Sequence, residues 1–315
     1  MSVQPPDGAH PQLAVDIVDR LEWVSGLYPG YRRAHAKGSC YRAVFLPTGA
    51  AAEYTTAAHL QGDPVPATVR FSNFSGNPYI WDRTRSARGL SVAFHLPGGV
   101  ATDLVSVSQP VFVAATPQAF RAFLEAAEPN MFTGSPDPEV VRKYANEHTE
   151  AMRGLRAVKN TPIPVSYATL RYWAVHAFVW LDKMRRRTAV RYRWEPEAGV
   201  QQLSDERAAE KSPTYLSDEL AERLASTTVA FQLKVQIAEP GDPTDDCTVL
   251  WPHDRTEITV GRLLVTGPVE DQAKWDRRMF DPARLVPGIE LSDDPVLRFR
   301  SQVYAVSHGR RTQGK

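Results

Sequence analysis

Two cysteines in 315 residues, Cys40 and Cys247, are too few and too far apart to staple a fold, so a disulfide scaffold is excluded and both thiols are expected to be buried or free. No stretch approaches the ~20 consecutive apolar residues of a membrane span. The opening MSVQPPDGAHPQ lacks the basic-then-apolar pattern of a secretion signal, and a cytoplasmic placement is expected. An excess of one charge is missing too: 37 basic against 36 acidic residues leave a net +1, which removes any global argument for nucleic acid or an anionic membrane as partner. The chain carries no H-E-x-x-H, no G-x-G-x-x-G and no nucleophile elbow, no low-complexity tract, and no repeat with a period of about 20 to 50 residues. What is present is an ordinary globular composition, 43% hydrophobic and 23% charged, in a chain long enough to bury a sizeable core.

Residues 1–12 are polar and proline-rich and read as an N-terminal arm. From Leu13, Val15, Val18, Leu21 and Val24 follow helical spacing towards Gly30, a stop signal. Between 39 and 115 short β-type runs such as Ala67–Ser72 and Gly89–Phe94 alternate with Gly, Pro and Asn, the texture of an antiparallel sheet. Thr116-Pro117 has the form of an N-cap followed by a first-turn proline, with Phe120, Phe123 and Leu124 on one stripe. A further helix is expected from Pro138 to about Val158. Strand patterning returns at 175–180 and, through Val229, Phe231, Leu233, Val235 and Ile237, at 227–237. A helical insert at 203–224 and a strand at 256–266 lead to a last helix that Pro295 opens.

On that last helix Arg300 and Tyr304 are four positions apart and therefore one above the other, so the guanidinium can donate to the phenol oxygen and favour its phenolate. Tyrosinate is the axial ligand that haem iron carries in catalases. Taken alone, an arginine and a tyrosine fall at this spacing by chance. A histidine at 35, in Arg32-Arg33-Ala34-His35-Ala36-Lys37-Gly38, lies between the first helix and the first strand. Val69-Arg70-Phe71-Ser72, Arg85-Ser86-Ala87-Arg88-Gly89, Asp103-Leu104-Val105 and Pro110-Val111-Phe112 follow in order.

With Pro29-Gly30-Tyr31, Val175-His176-Ala177-Phe178, Glu239-Pro240-Gly241-Asp242-Pro243, Phe280-Asp281-Pro282 and Pro287-Gly288-Ile289-Glu290, these segments make the chain resemble the haem catalase superfamily from about residue 12 to 311. It is most similar to the short catalase-related peroxidases. The resemblance implies an α+β fold in which an antiparallel β-barrel of the catalase type is surrounded by helices, with haem b buried between the barrel and the C-terminal helix. It implies one haem domain over 13–311 and a tail at 312–315. His35 matches the distal histidine and Ser72 the hydroxyl that orients it. Phe71 is expected near the haem and Phe120 over its distal face. Tyr304 matches the proximal metal ligand and Arg300 the arginine on its oxygen, with His176 and Asp294 extending that network. Arg32, Arg70 and Arg311 match the cations that pair with the propionates, which bidentate guanidinium chemistry suits. The implied function is a haem-dependent peroxidase in which neutral His35 takes the proton of hydrogen peroxide or an organic hydroperoxide and returns it to the departing oxygen. An unidentified small-molecule donor then supplies electrons.

Two departures qualify the resemblance. Counting back from Pro110 puts Val107 where catalases place a distal asparagine, and a valine cannot donate a hydrogen bond. Losing one preorganised donor costs on the order of 10²-fold in rate, so catalase activity is expected to be weak. Ser108 and Gln109 are the nearby polar alternatives, although strand alternation points Ser108 away from the face of Val107. Ser86 stands where large catalases carry an acidic channel residue, which makes the distal pocket drier and better suited to a bulky co-substrate.

Two further readings keep the haem: rearrangement of fatty hydroperoxides or a biosynthetic oxidation, and a haem sensor or carrier without turnover, which the acid–base group His35 argues against. Related proteins lead to an expectation of a homodimer or larger homo-oligomer. The basic run at 183–193 reads as a hairpin tip, Asp242–Asp246 as a turn rather than a calcium loop, and Asn73-Phe74-Ser75 as a silent glycosylation triplet.

Overall fold

The computed structural model describes residues 10–130, 133 and 135–314, so most of the expected N-terminal arm lies outside the described residues. Helix α1 (Pro11–Ser25) opens with proline in its first turn and ends at Gly26, whose φ of 86° is the left-handed conformation that glycine tolerates. It stops short of the expected Gly30 because Gly26 already breaks it. Strands β1 (Gly38–Pro47), β2 (Val65–Asn73), β3 (Arg88–His95) and β4 (Ala101–Val107) then form the expected antiparallel run.

Helix α2 (Pro117–Ala126) is capped by Thr116, whose Oγ1 accepts from Ala119 N at 3.1 Å. The single helix expected at 138–158 is two, α3 (Pro138–Glu147) and α4 (Thr149–Lys159), because His148 between them has extended dihedrals. The second half holds β5 (Ile163–Pro164), β6 (Tyr172–Leu181), β7 (Arg187–Pro196), β8 (Gln202–Leu203), α5 (Asp205–Ala209), α6 (Tyr215–Ser226), β9 (Val229–Ile237) and β10 (Glu257–Pro268). It ends with α7 (Gln272–Arg277), β11 (Ile289–Leu291) and α8 (Pro295–Thr312).

The main sheet runs β11-β6-β4-β3-β2-β1-β10-β9-β7, and an additional β6–β7 pairing closes it into an eight-stranded antiparallel barrel with β11 appended to β6. Closure removes free edges, and bulges at Arg42/Ala43, Thr259/Gly261 and Ala174/Phe178 supply the local bending that a closed sheet needs. Alternation decides what faces inward. Tyr41, Ala43 and Phe45 of β1, Val69 and Phe71 of β2, Leu90, Val92 and Phe94 of β3, and Phe231, Leu233 and Val235 of β9 fill the interior with Tyr172, Trp180 and Trp194. The intervening residues of β2, β3 and β4 face outward, and that outer wall positions the site.

Of the 183–193 segment, residues 183–186 form the β6–β7 hairpin tip and the rest lies in β7, with Asp182 Oδ1 accepting from Met184 N and Arg186 N at 2.8 Å each. Asn73 is buried and bonded to Asp82 and Tyr167, and Cys40 and Cys247 are buried free thiols. Among the described residues no helix is long and apolar enough to cross a membrane.

At the β10 bulge a methyl group on Gly261 would collide with the fully buried ring of Phe45. Gly261→Ala is therefore expected to lower stability by roughly 1–3 kcal/mol, read from the urea midpoint, as overpacking does. An unchanged midpoint would show that the ring can move aside.

Candidate active site

A cavity with room for about 130 Å³ of water-sized solvent opens between the outer wall of the barrel and α8. From β2 come Arg70 and Ser72, from β3 Gly89 and Ser91, and from β4 Val105 and Val107. Their grouping follows from register: Ser72 lies opposite Gly89 and Gly89 opposite Val107, while Arg70 lies opposite Ser91 and Ser91 opposite Val105. Facing them, α8 contributes Arg300, Val303, Tyr304, Ser307, His308 and Arg311, a stripe at helical spacing. Leu21 of α1, Met279 and Phe280 close one side, and the loop bearing Arg32 and His35 closes another.

On the barrel side His35 Nδ1 lies 2.9 Å from Ser72 Oγ. His35 has a φ of 57°, unusual for a residue with a side chain, and its ring meets Phe74 edge-on with centroids 5.1 Å apart. Gly89 makes the pair possible: a Cβ there would lie 2.5 Å from Ser72 Oγ and 2.8 Å from His35 Nδ1. Burial, reinforced by the nearby charges of Arg70, Arg300 and Arg32, pushes the His35 pKa down to about 3, so the imidazole is neutral at pH 7.

On the helix side Arg300 donates to the Tyr304 oxygen. Behind the helix Asp294 serves two elements at once. Its Oδ1 accepts from Val296 N at 2.8 Å and Leu297 N at 3.1 Å, capping α8, and its Oδ2 lies 2.7 Å from Nδ1 of His176 on β6. Both side chains are buried. Burial lowers the His176 pKa, and the Asp294 carboxylate opposes that shift.

At the rim Arg32, Arg70 and Arg311 converge. Burial, then Arg70 and Arg311, pull the Arg32 guanidinium well below its ordinary pKa, and Arg311 is lowered to about 10, chiefly by burial and then by Arg70. Among the described residues the Nε atoms of Arg70 and Arg311 are buried without a hydrogen-bond partner. Arg70 Nε has the Asp276 carboxylate 3.8 Å away, but one carboxylate among three clustered guanidiniums, with Arg311 Nε left unpaired, calls for a further anion. The residues present thus fit a planar ligand that carries carboxylates at one edge, meets a phenol on one face and meets an imidazole on the other.

The structure brings together His35, Ser72, Arg32, Arg70, Val107, Arg300, Tyr304 and Arg311, with His176 and Asp294 behind α8. Two expected residues are placed elsewhere. Phe71 is on the inner face of β2, in the barrel core and stacked on Tyr167 with centroids 5.4 Å apart, because alternation sends it opposite to Arg70 and Ser72. Phe120 packs against the cluster of Ala14, Ile17, Leu21, Leu124 and Phe299 where α1, α2 and α8 meet, its ring centroid 5.0 Å from that of Phe112, and is not among the residues that line the cavity.

Neither polar neighbour of Val107 replaces an amide there. Ser108 Oγ accepts from Arg88 N at 2.8 Å, and Gln109 Nε2 donates to Thr161 Oγ1 at 3.0 Å. Ser86 Oγ is likewise engaged, by Arg88. Sequence reasoning gave no role to Gly89, Ser91, Val105, Ser307, His308, Met279 or Phe280. Strand alternation counted across from Ser72 finds the first three, and helical period counted from Tyr304 finds Ser307 and His308. Phe280 stands in the Phe280-Asp281-Pro282 segment that carries the resemblance, whereas no pattern signals Met279.

Asp294→Ala removes a cap and leaves a buried imidazole without its partner, so it should lower stability by roughly 2–4 kcal/mol in denaturant unfolding, about 1 from the cap and the rest from the histidine. A loss under about 1 kcal/mol would show that water replaces the carboxylate.

The neutral His35 also makes a pH prediction. An unfolded histidine takes a proton near 6.5 while folded His35 stays neutral to about 3, so in that window the unfolded state binds more protons. Stability from this site is present above about pH 6.5 and falls as the pH drops towards 3. His35→Gln should shrink the acid-side loss, measured by urea unfolding of the haem-free chain at about pH 7 and about pH 4.5.

The fold and the sequence have relatives. The family model described as Catalase matches residues 30–315. The chain is 40% identical over 297 residues to the catalase-related peroxidase of Mycolicibacterium paratuberculosis, spanning 94% of this chain and 93% of that one. It is 32% identical over 299 residues to the catalase-related peroxidase of Synechococcus elongatus, spanning 95% and 88%. The catalase of Methanosarcina barkeri is 27% identical, but this chain spans only 61% of its length. Among solved structures, a fungal catalase and catalase A from Saccharomyces cerevisiae each superpose with a TM-score of 0.82 over 90% of this chain, at 24% and 23% identity, which is a likeness of fold. A family model that spans nearly all of the chain, and relatives that match it almost end to end, place this protein in the catalase family.

Proposed function

We propose that this protein is a haem b peroxidase that reduces hydrogen peroxide or an organic hydroperoxide at the expense of a small organic donor, with weak catalase activity. The observation that carries this reading is the pairing of chemistries across one cavity: a neutral, hydroxyl-bound histidine on the barrel wall and an arginine-bound tyrosine on the helix wall. The names of the relatives, catalase-related peroxidase and catalase, support it.

Tyr304 would hold the iron through its oxygen, Arg32, Arg70 and Arg311 would hold the propionates, and Val107, Val303 and Phe280 would flank the ring. When bound, haem supplies a ferric centre that activates the peroxide O–O bond, and a tyrosinate ligand favours that cleavage. The proton traffic belongs to His35. Ser72 engages Nδ1, which leaves Nε2 as the nitrogen for substrate. Neutral Nε2 takes the proton from the peroxide and delivers it to the departing oxygen, so that water or an alcohol leaves instead of an anion.

Arg300 stabilises negative charge on the Tyr304 oxygen and is set in place by a helix whose start Asp294 fixes. Asp294 also fixes the tautomer of His176, because a carboxylate at Nδ1 accepts a hydrogen bond and so keeps the proton on that nitrogen. On the wall formed by Gly89, Ser91, Val105 and Val107, the valine at 107 offers no side-chain donor, so a second hydrogen peroxide would lack a hydrogen bond from that position.

The test is a visible spectrum of the haem-loaded protein with and without peroxide. A high-spin ferric tyrosinate spectrum that changes on peroxide addition and returns on addition of a phenolic donor supports the reading, and failure to take up haem overturns it. Tyr304→Phe should lose haem on gel filtration. Retention at wild-type occupancy would show that another group holds the iron. Val107→Asn should raise oxygen evolution by on the order of 10²-fold. Catalase-like oxygen evolution in the wild type would refute the role given to valine.

A further inference from the structure

The three rim arginines face one turn of chain that the haem reading leaves unexplained. Asp276, on the last turn of α7, places Oδ1 3.4 Å from Arg32 Nη1 and 3.8 Å from Arg70 Nε. The same turn accepts one bond from each of two of them: Arg32 Nη2 donates to Arg278 O at 2.8 Å and Arg311 Nη2 to Arg277 O at 3.2 Å, while Arg70 Nη2 donates to Ala36 O at 3.4 Å. His308 Nε2 also lies 2.9 Å from Arg277 O. The Asp276 charge supports the protonated form of Arg32, Arg70 and Arg311 alike. It is half-exposed and stands outside the residues that line the cavity.

We infer that Asp276 is a positioning residue for the carboxylate-binding edge of this site: it bridges Arg32 and Arg70 from behind and holds their free N–H groups towards the ligand's propionates. Like charges brought together would otherwise splay, and each guanidinium left to itself carries rotamer freedom that binding must remove. Two electrostatic effects compete. The Asp276 carboxylate attracts the arginines at 3.4 and 3.8 Å, and it repels the propionates, which bind on the cavity side of those arginines. Half-exposure and the greater separation screen the repulsion more than the attraction, so orientation wins. The charge count agrees, since three guanidiniums and one carboxylate leave +2, the complement of a ligand with two carboxylates.

This inference rests on the haem reading, and the experiment separates the two. The haem-free full-length chain is titrated with haem and with haem dimethyl ester, whose propionates are masked, and binding is followed by the visible spectrum and by quenching of tryptophan fluorescence. Asp276→Asn should weaken haem binding about fivefold, the equivalent of ~1 kcal/mol, leave the affinity for the dimethyl ester unchanged, and be largely rescued by Asp276→Glu. Equal haem affinity in wild type and Asp276→Asn would overturn the inference. So would tighter binding, which would mean that Asp276 competes with the propionates, and so would equal weakening for haem and its ester, which would mean general damage. A wild-type chain that takes up neither ligand would overturn the haem reading itself.

Discussion

The Asp294 carboxylate is the interaction on which the site depends. With one oxygen it satisfies the first free amides of α8, and with the other it holds His176 on the barrel wall. A helix start pinned to a strand in this way fixes both the rotation and the axial position of everything on the helix. Arg300 and Tyr304 lie six and ten positions further along, and at 1.5 Å per residue a slip of one residue would turn their side chains by about 100° away from the cavity. Burial makes the anchor strong, because neither group has water to fall back on.

The other half of the site depends on what the barrel leaves on its outer wall. Its interior is packed with large aromatic side chains, and alternation then sends the short ones outward at the place where a flat ligand must lie. Gly89 is the limiting case, since any side chain there would occupy the space of the His35–Ser72 pair. Glu22 of α1 ties the rest together. Its carboxylate accepts from Arg33 Nε at 2.5 Å, two residues before His35, and pairs with Arg310 of α8 at 2.9 Å, so the two walls share one anion. The two faces of the cavity consequently differ in kind: a charged and strongly bonded helix side, and a barrel side where His35 stands among serines and valines with Arg70 at the rim.

Much of this was legible in residue order. The strands from 39 to 115, the Thr116 cap, the β9 alternation and the helix opened by Pro295 all stand where local pattern puts them, because each is decided by spacing along one segment. The failures have separate causes. Phe71 stands next to Ser72 in sequence, but on a strand adjacency means opposite faces, and it belongs to the core. Phe120 has an apolar stripe that suits a pocket and a helix interface equally, and the contacts of α1 and α8 decide between them. The helix at 138–158 breaks at His148, where neither proline nor glycine gives a signal.

By itself the sequence determined the chemistry available: which side chains can bind an anion, ligate a metal or move a proton, and that Val107 can do none of these. It determined as well the alternation that separates core from wall. Only the tertiary structure decided which of those groups meet. His35, Ser72, Val107 and Tyr304 are separated by tens to hundreds of residues and become neighbours through strand register and one buried carboxylate. It also decided that Ser108 and Gln109 are spent on Arg88 and Thr161, and that Asp276 stands behind the arginines. Direction and partner are long-range properties, set by packing that no local spacing encodes.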